Sequence, residues 1–167
     1  MIRPMTGEDL PQVLAIEQAV FGATAWSGRA WSGELAPGHP DRHFIVLVEE
    51  SADPVEPHRI AGYGGVLRAG SDAEILTLAV SPEVQGHGHG RTLLASLLDT
   101  ARSWGSISVF LEVAEHNEAA VALYLSDGFT VLGQRRHYYG PDRHALTMQL
   151  RMREPWGARL LHDEGVR

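Results

Sequence analysis

Gln85-Gly86-His87-Gly88-His89-Gly90 stands between an apolar run ending at Val80 and a long amphipathic pattern that starts near Gly90. At such a junction unpaired main-chain N–H groups and the positive end of a helix dipole aim at one spot. Three glycines also let the backbone approach a ligand without Cβ atoms in the way. The chemistry this suits is the cradling of a phosphate or pyrophosphate, and the plainer alternative is a flexible strand-to-helix turn. Two familiar cradles are excluded. The G-x-G-x-x-G spacing needs a first strand-helix unit with an acid about 20 residues further on, and a Walker loop needs Gly-Lys-Ser/Thr.

Glu112 lies inside Val109-Phe110-Leu111-Glu112-Val113. Burial there would make its carboxylate a usable base near neutral pH, whereas an edge placement would leave it a surface acid, and register is not readable from the run alone. Tyr124 follows Asn117 by seven residues, about two helical turns, so a cap able to bond a ligand and a phenol share one face. A tyrosine so placed serves as core more often than as an acid. Of the nine histidines, His87 and His89 are the closest pair, but no third ligand comes from a regular element, so no metal is expected. Cysteine is absent and there is no Gly-x-Ser-x-Gly elbow, which favours direct transfer over a covalent enzyme intermediate.

The elements that must position these residues follow from periodicity and punctuation. Ile2 to Met5 suits a short strand, and Thr6-Gly7-Glu8-Asp9 is a cap pattern ahead of Leu10, Val13, Leu14 and Phe21 on one helical face. Trp26-Ser27 opens a shorter helix carrying Trp31 and Leu35, ended by Pro37, Gly38 and Pro40. His43 to Glu50 and Ile60 to Leu67 read as antiparallel strands joined through Ser51 to Arg59. Glu74 to Val80 is nearly continuous in apolar residues, which predicts a central strand covered on both faces. Leu93, Leu94, Leu97, Leu98, Ala101 and Trp104 predict the longest helix, closing at Gly105. A second central strand is expected over Ile107 to Ala114 and a helix from Asn117 to Gly128. A closing hairpin of Phe129 to Tyr138 and His144 to Arg151 completes the pattern. The order βααβββαβαββ is that of a single α/β or α+β domain with a mixed sheet, covering residues 1–151 and leaving 152–167 as an unassigned tail.

Composition narrows the partners. Against 14 Lys+Arg stand 21 Asp+Glu, a net charge of −7, which repels a phosphate backbone and fits basic partners better than nucleic acid. With no cysteine, no apolar run near the ~20 residues needed to cross a bilayer, and no export signal, the expectation is a cytoplasmic protein without a membrane partner.

Leu78-Ala79-Val80, Gln85-x-x-Gly88-x-Gly90, Leu111-Glu112-Val113, Asn117-x-x-Ala120 and Leu123-Tyr124-x-x-x-Gly128-Phe129 resemble, in order and spacing, the Gcn5-related N-acetyltransferase (GNAT) superfamily. Trp26-Ser27, Ala122-Leu123-Tyr124 and Arg135-x-x-Tyr138-Tyr139 make the chain similar to the RimI type, the ribosomal-protein alanine N-acetyltransferases. The resemblance implies a mostly antiparallel sheet of about seven strands with splayed central strands, flanked by about four helices. It implies acetyl-CoA along Leu78, Ala79 and Val80, with its pyrophosphate on Gln85, Gly86, His87, Gly88, His89 and Gly90 and its pantetheine near Asn117. Glu112 is then the base, Tyr124 the acid, and Trp26, Tyr138 and Tyr139 hold the acceptor, the N-terminus of a protein, most naturally a ribosomal one. Gly86 and His89 depart from the usual loop, where relatives carry a polar and an aliphatic residue, and the two histidines there imply pH-dependent phosphate binding.

A peptide α-amine has a pKa of ~7.7–8.0 and a lysine ~10.4, so freeing the lysine costs about 3.5 kcal/mol more at neutral pH, and a lone glutamate suits the α-amine. An acetyltransferase for small amines, or a non-catalytic acyl-CoA module, would share the donor site.

Overall fold

The computed structural model describes residues 1–50, 58–137 and 144–152. Its elements run β1 (Ile2–Pro4), α1 (Leu10–Phe21), α2 (Gly28–Glu34), β2 (Arg42–Glu50), β3 (His58–Ala69), β4 (Asp72–Val80), α3 (His89–Ser103), β5 (Ser108–Ala114), α4 (Glu118–Ser126), β6 (Thr130–Arg135) and β7 (Ala145–Arg151). This is the order expected from the sequence. The loop between β2 and β3, the tip of the last hairpin with Tyr138 and Tyr139, and the tail after 152 fall largely or wholly outside the described residues.

Local chemistry sets each boundary. A single 3-10 turn, Gly7–Asp9, leads into α1, and the Asp9 carboxylate accepts from the Thr6 backbone N–H at 2.8 Å. The same carboxylate takes both Arg3 donors at 2.7 Å, tying β1 to the helix start and holding the Asp9 carboxyl below the usual carboxylate range. A depressed carboxyl stabilises the fold above the ordinary value of about 4 and loses that contribution as pH falls through the depressed one. The stability gap between the native chain and Asp9→Asn is therefore expected to close on acidification, as denaturant midpoints along a pH series will measure.

Ser27 caps α2 by accepting from the Ala30 N–H, and Asn117 caps α4 by accepting from the Ala120 N–H. Gly105 and Gly128 take positive φ, +72° and +94°, just past the ends of α3 and α4, where other residues would be strained.

The seven strands form one sheet in the order β1-β2-β3-β4-β5-β7-β6, with β4 in the middle. On one face α3 buries Leu93, Leu94, Leu97 and Leu98 together with Tyr124 of α4. On the other, α1 and α2 bury Val13, Ile16 and Trp31 against Phe44, Val46 and Tyr63. A Cβ on Gly64 of β3 would stand 2.8 Å from a Leu97 methyl, so α3 lies this close only because β3 is bare there.

All neighbouring strands are antiparallel except β4 and β5, which pair in parallel over three residues only, Ala73–Ile75 against Val109–Leu111. At the end of that short ladder Thr77 stands opposite Gly65 and Ile75 opposite Val66, leaving Leu76 as an extra residue in β4. Such a bulge bends its strand and re-aims the side chains after it. Beyond it, Leu78 and Val80 pack toward α3 and Ala79 toward α1, and β4 and β5 part.

Candidate active site

Where β4 and β5 part, each keeps an inner edge with no strand beside it among the described residues. Ser81 N–H bonds Ala61 O at 2.8 Å, and the alternation of an antiparallel ladder puts the amide groups of Ala79 toward β3 as well. Those of Leu78 and Val80 therefore face the opening, which excludes Ala79 as a source of an N–H donor there.

A cavity of about 540 Å³ fills the opening and passes through the sheet. Glu17, Val20 and Phe21 of α1 with Trp26 line it on one face, and Asn117, Ala120 and Tyr124 line it on the α4 side. Leu78 and Glu112 form the walls between. Residues singled out separately in the sequence, Trp26, Leu78, Glu112, Asn117 and Tyr124, thus converge from five parts of the chain on one space.

The glycine loop sits at the end of β4. Gln85 donates its side-chain amide to Val80 O at 3.1 Å, fastening the loop to the strand. Gly86 and Gly88 have φ of +81° and +85°, and a Cβ on either would meet nothing within 4 Å. The glycines are thus needed for backbone conformation, and the main chain lies open beside the head of α3. Gly90 differs. A Cβ there would lie 3.3 Å from Leu123, so this glycine lets α3 pack on α4. His89 Nε2 lies 2.9 Å from Glu49 Oε1, and His87 Nδ1 lies within 3.2 Å of the carbonyls of Val84 and Gln85. Both imidazoles are engaged by the protein's own groups.

Glu112 projects from β5 on the face shared with α1, its side chain 21% exposed, and accepts from Arg135 Nη1 at 2.5 Å through Oε1. The sequence left open whether this carboxylate is buried or lies at an edge; the structure half-buries it and supplies a cation from β6. Burial, and then the nearby Glu112 charge, push the Glu74 carboxyl up from its ordinary value. Tyr124 is buried, its ring edge-on to Phe129 at 5.7 Å between centroids.

Glu17 was not among the sequence candidates. It is buried at the cavity wall, accepts from the Trp26 N–H at 2.8 Å through Oε1, and accepts from the Tyr63 hydroxyl through Oε2. Burial and then the Glu17 carboxylate hold the Tyr63 phenol far above the usual range, so it serves as a fixed donor. Glu17 anchors Trp26 to the sheet. Its signal was spacing: with Val13 and Phe21 it falls at four-residue intervals on the apolar face of α1.

A sheet parted at its centre, bulged where it parts and followed by an open glycine turn at a helix head is the frame that carries these residues. The chain matches the Acetyltransferase (GNAT) family over residues 14–129 and belongs to it. It is of the RimI type within that family, an N-acetyltransferase. It is 37% identical over 153 residues to N-alpha-acetyltransferase RimI of Mycobacterium tuberculosis, across 87% of this chain and 89% of that protein. To the [ribosomal protein bS18]-alanine N-acetyltransferase of Escherichia coli K12 it is 31% identical over 131 residues, across 78% and 81%. The crystal structure of the ribosomal-protein-S18-alanine N-acetyltransferase from Escherichia coli superposes with a TM-score of 0.80 at 27% identity, over 95% of this chain and 97% of that one.

Among the described residues no group of three or more His, Cys, Asp or Glu side chains is placed to hold a metal ion, and no helix is long and apolar enough to cross a membrane.

Proposed function

We propose that this protein transfers the acetyl group of acetyl-CoA to the N-terminal α-amine of a protein, with an alanine-starting ribosomal protein as the acceptor. The single observation that carries the reading is the cavity through the sheet. It opens to the α1 face beside Glu112 and to the α4 side beside Tyr124, so a base and an acid flank one passage. The named activities of the relatives support the acceptor class.

The residues present fit the coenzyme. Main-chain N–H groups between Gln85 and Gly90 would hold its pyrophosphate at the head of α3, where open space around Gly86 and Gly88 admits a bulky anion. The inner edge of β4 at Leu78 and Val80, with Asn117 opposite, would hold its pantetheine. Bound there, acetyl-CoA supplies an activated thioester.

Glu112 takes a proton from the acceptor ammonium, freeing the lone pair that forms the new C–N bond. The Leu78 or Val80 N–H donates to the carbonyl oxygen as negative charge builds on it. Tyr124 donates a hydrogen bond toward the sulfur as the C–S bond breaks, and the nitrogen's remaining surplus proton passes to the departing thiolate, directly or through water, leaving the amide and the free thiol. Trp26, held by Glu17, walls the acceptor side, and the resemblance assigns the acceptor also to Tyr138 and Tyr139, which lie outside the described residues.

The test is thiol release with a peptide that begins with alanine, set against the same peptide with a blocked N-terminus and against small polyamines. Turnover of the free peptide alone is the expected result. Preference for the polyamine overturns the acceptor assignment, and coenzyme binding without any turnover overturns the enzymatic one. Tyr124→Phe is expected to lower kcat by about 10- to 100-fold, the scale of one lost donor to a charged atom, with coenzyme affinity unchanged. Isothermal titration beside the turnover assay checks both.

A further inference from the structure

We propose that Arg135 is a positioning residue of the transfer reaction, holding the Glu112 carboxylate by Oε1 so that Oε2 faces the acceptor amine. This rests on the reading of Glu112 as the base.

The geometry that brings the pair together is built into two strands. Glu112 stands opposite Thr147 of β7, and Thr147 stands opposite Gly133 of β6. In the next row on the same face Ala114 stands opposite Ala145, and Ala145 opposite Arg135. Arg135 therefore has to reach across β7 to touch β5, and the side chains beneath its path are those of Ala145, Ala114 and Thr147, all small. Nothing lies within 4 Å of a Cβ built on Gly133, so that corner of the path is open too.

The register of β6 is the second observation. Its pairing with β7 slips by one residue between Val131 and Gly133, leaving Leu132 as an extra residue. Because side chains alternate between faces, this slip decides which residue shares the face of Glu112. Without it Gln134 would stand opposite Ala145 and Arg135 would point to the other face. With it, Arg135 meets Glu112, while Gln134 donates to Glu115 at 2.9 Å.

The Arg135 side chain is 57% exposed, and an ion pair so open to water adds little to folding stability. Its effect is on direction. A guanidinium on one carboxylate oxygen fixes the rotamer and leaves the other oxygen to accept. Arg135 donates to Glu112 through Nη1. The other titratable groups around it are Glu74 on β4, which repels it, and Glu17 of α1, His116 after β5 and Tyr124 of α4, which line the same cavity.

The test is a double-mutant cycle on thiol release with Arg135→Gln, Arg135→Lys, Glu112→Gln and the pair Arg135→Gln with Glu112→Gln. Arg135→Gln is expected to lower kcat by about 10- to 100-fold, the scale of one charge-assisted hydrogen bond, with thermal midpoint and coenzyme affinity unchanged. Arg135→Lys restores part of the loss, and Arg135→Gln adds no further loss once Glu112 is Gln. An active Glu112→Gln enzyme overturns the reading of Glu112 and this proposal together. An inactive Glu112→Gln enzyme beside an unimpaired Arg135→Gln overturns this proposal alone. So does an equal loss from Arg135→Gln in both backgrounds.

Discussion

Glu112→Gln is expected to lower kcat by about 10²- to 10⁴-fold, the range a positioned general base contributes, and to leave acetyl-CoA affinity as it is. The substitution is nearly isosteric. Its amide oxygen can still accept from Arg135, so the wall of the cavity and the approach of β6 are kept. What is lost is the capacity to take a proton from an ammonium. Since Glu112 lies on the face shared with α1 and the glycine loop lies at the far end of β4, the contacts proposed for the coenzyme are untouched. Turnover at saturating peptide, read beside isothermal titration with acetyl-CoA, separates the two effects. Because the base is needed to free the amine, raising the pH should recover part of the loss, and recovery should stop once the peptide amine is deprotonated in solution, near its pKa of ~7.7–8.0. A variant that turns over at the native rate at neutral pH would remove Glu112 from the chemistry.

The second large effect is structural. Trp31→Ala is expected to destabilise the fold by about 3–5 kcal/mol, the cost of truncating a buried large aromatic. Trp31 is wholly buried and packs on Trp26, Phe44 and Tyr63, with ring centroids at 5.1, 5.4 and 5.3 Å. Against a total of about 5–15 kcal/mol, such a loss puts a large share of molecules near unfolding at physiological temperature. It also reaches the site. Trp26 leans on Trp31 while its backbone N–H is held by Glu17, so removing the indole beneath leaves this part of the cavity wall fixed by its main chain alone. Trp31→Phe, which retains a ring, should cost clearly less. Denaturant midpoints of the three proteins make the comparison, and a midpoint for Trp31→Ala equal to the native one contradicts the packing.

Much of this architecture was legible because local chemistry punctuates it. Ser27 and Asn117 each accept from the N–H three residues on, and Gly105 and Gly128 take the positive φ that ends α3 and α4. These interactions span few residues, so the sequence displays them directly. The apolar run before Pro82 likewise announces the central strand. The loop from Gln85 to Gly90 was legible as a backbone device, but Gly90 proves to serve the contact with Leu123, a partner on another helix.

What was not legible depends on contacts between distant segments. The parting of β4 from β5 follows from a bulge at Leu76, hidden inside a continuous apolar run where no residue type marks it. Glu112 and Arg135 are 23 residues apart and joined only by the one-residue slip at Leu132. The sequence showed a carboxylate in a strand, while its neighbour depends on strand pairing that no local pattern encodes. Glu17 was visible as an acid among apolar neighbours, but its partners, Trp26 and Tyr63, come together only when α1 lies on β3.

A strand left open at the rim of a sheet invites a neighbouring protein molecule to extend it, with aggregation as the hazard. Here the two raw borders sit indoors, one on each side of a slit in the middle of seven strands, roofed and floored by helices. Set there, the borders are covered from another molecule's strand edge, and the hydrogen-bonding capacity that makes outer rims sticky toward other proteins is turned toward the inside of the slit.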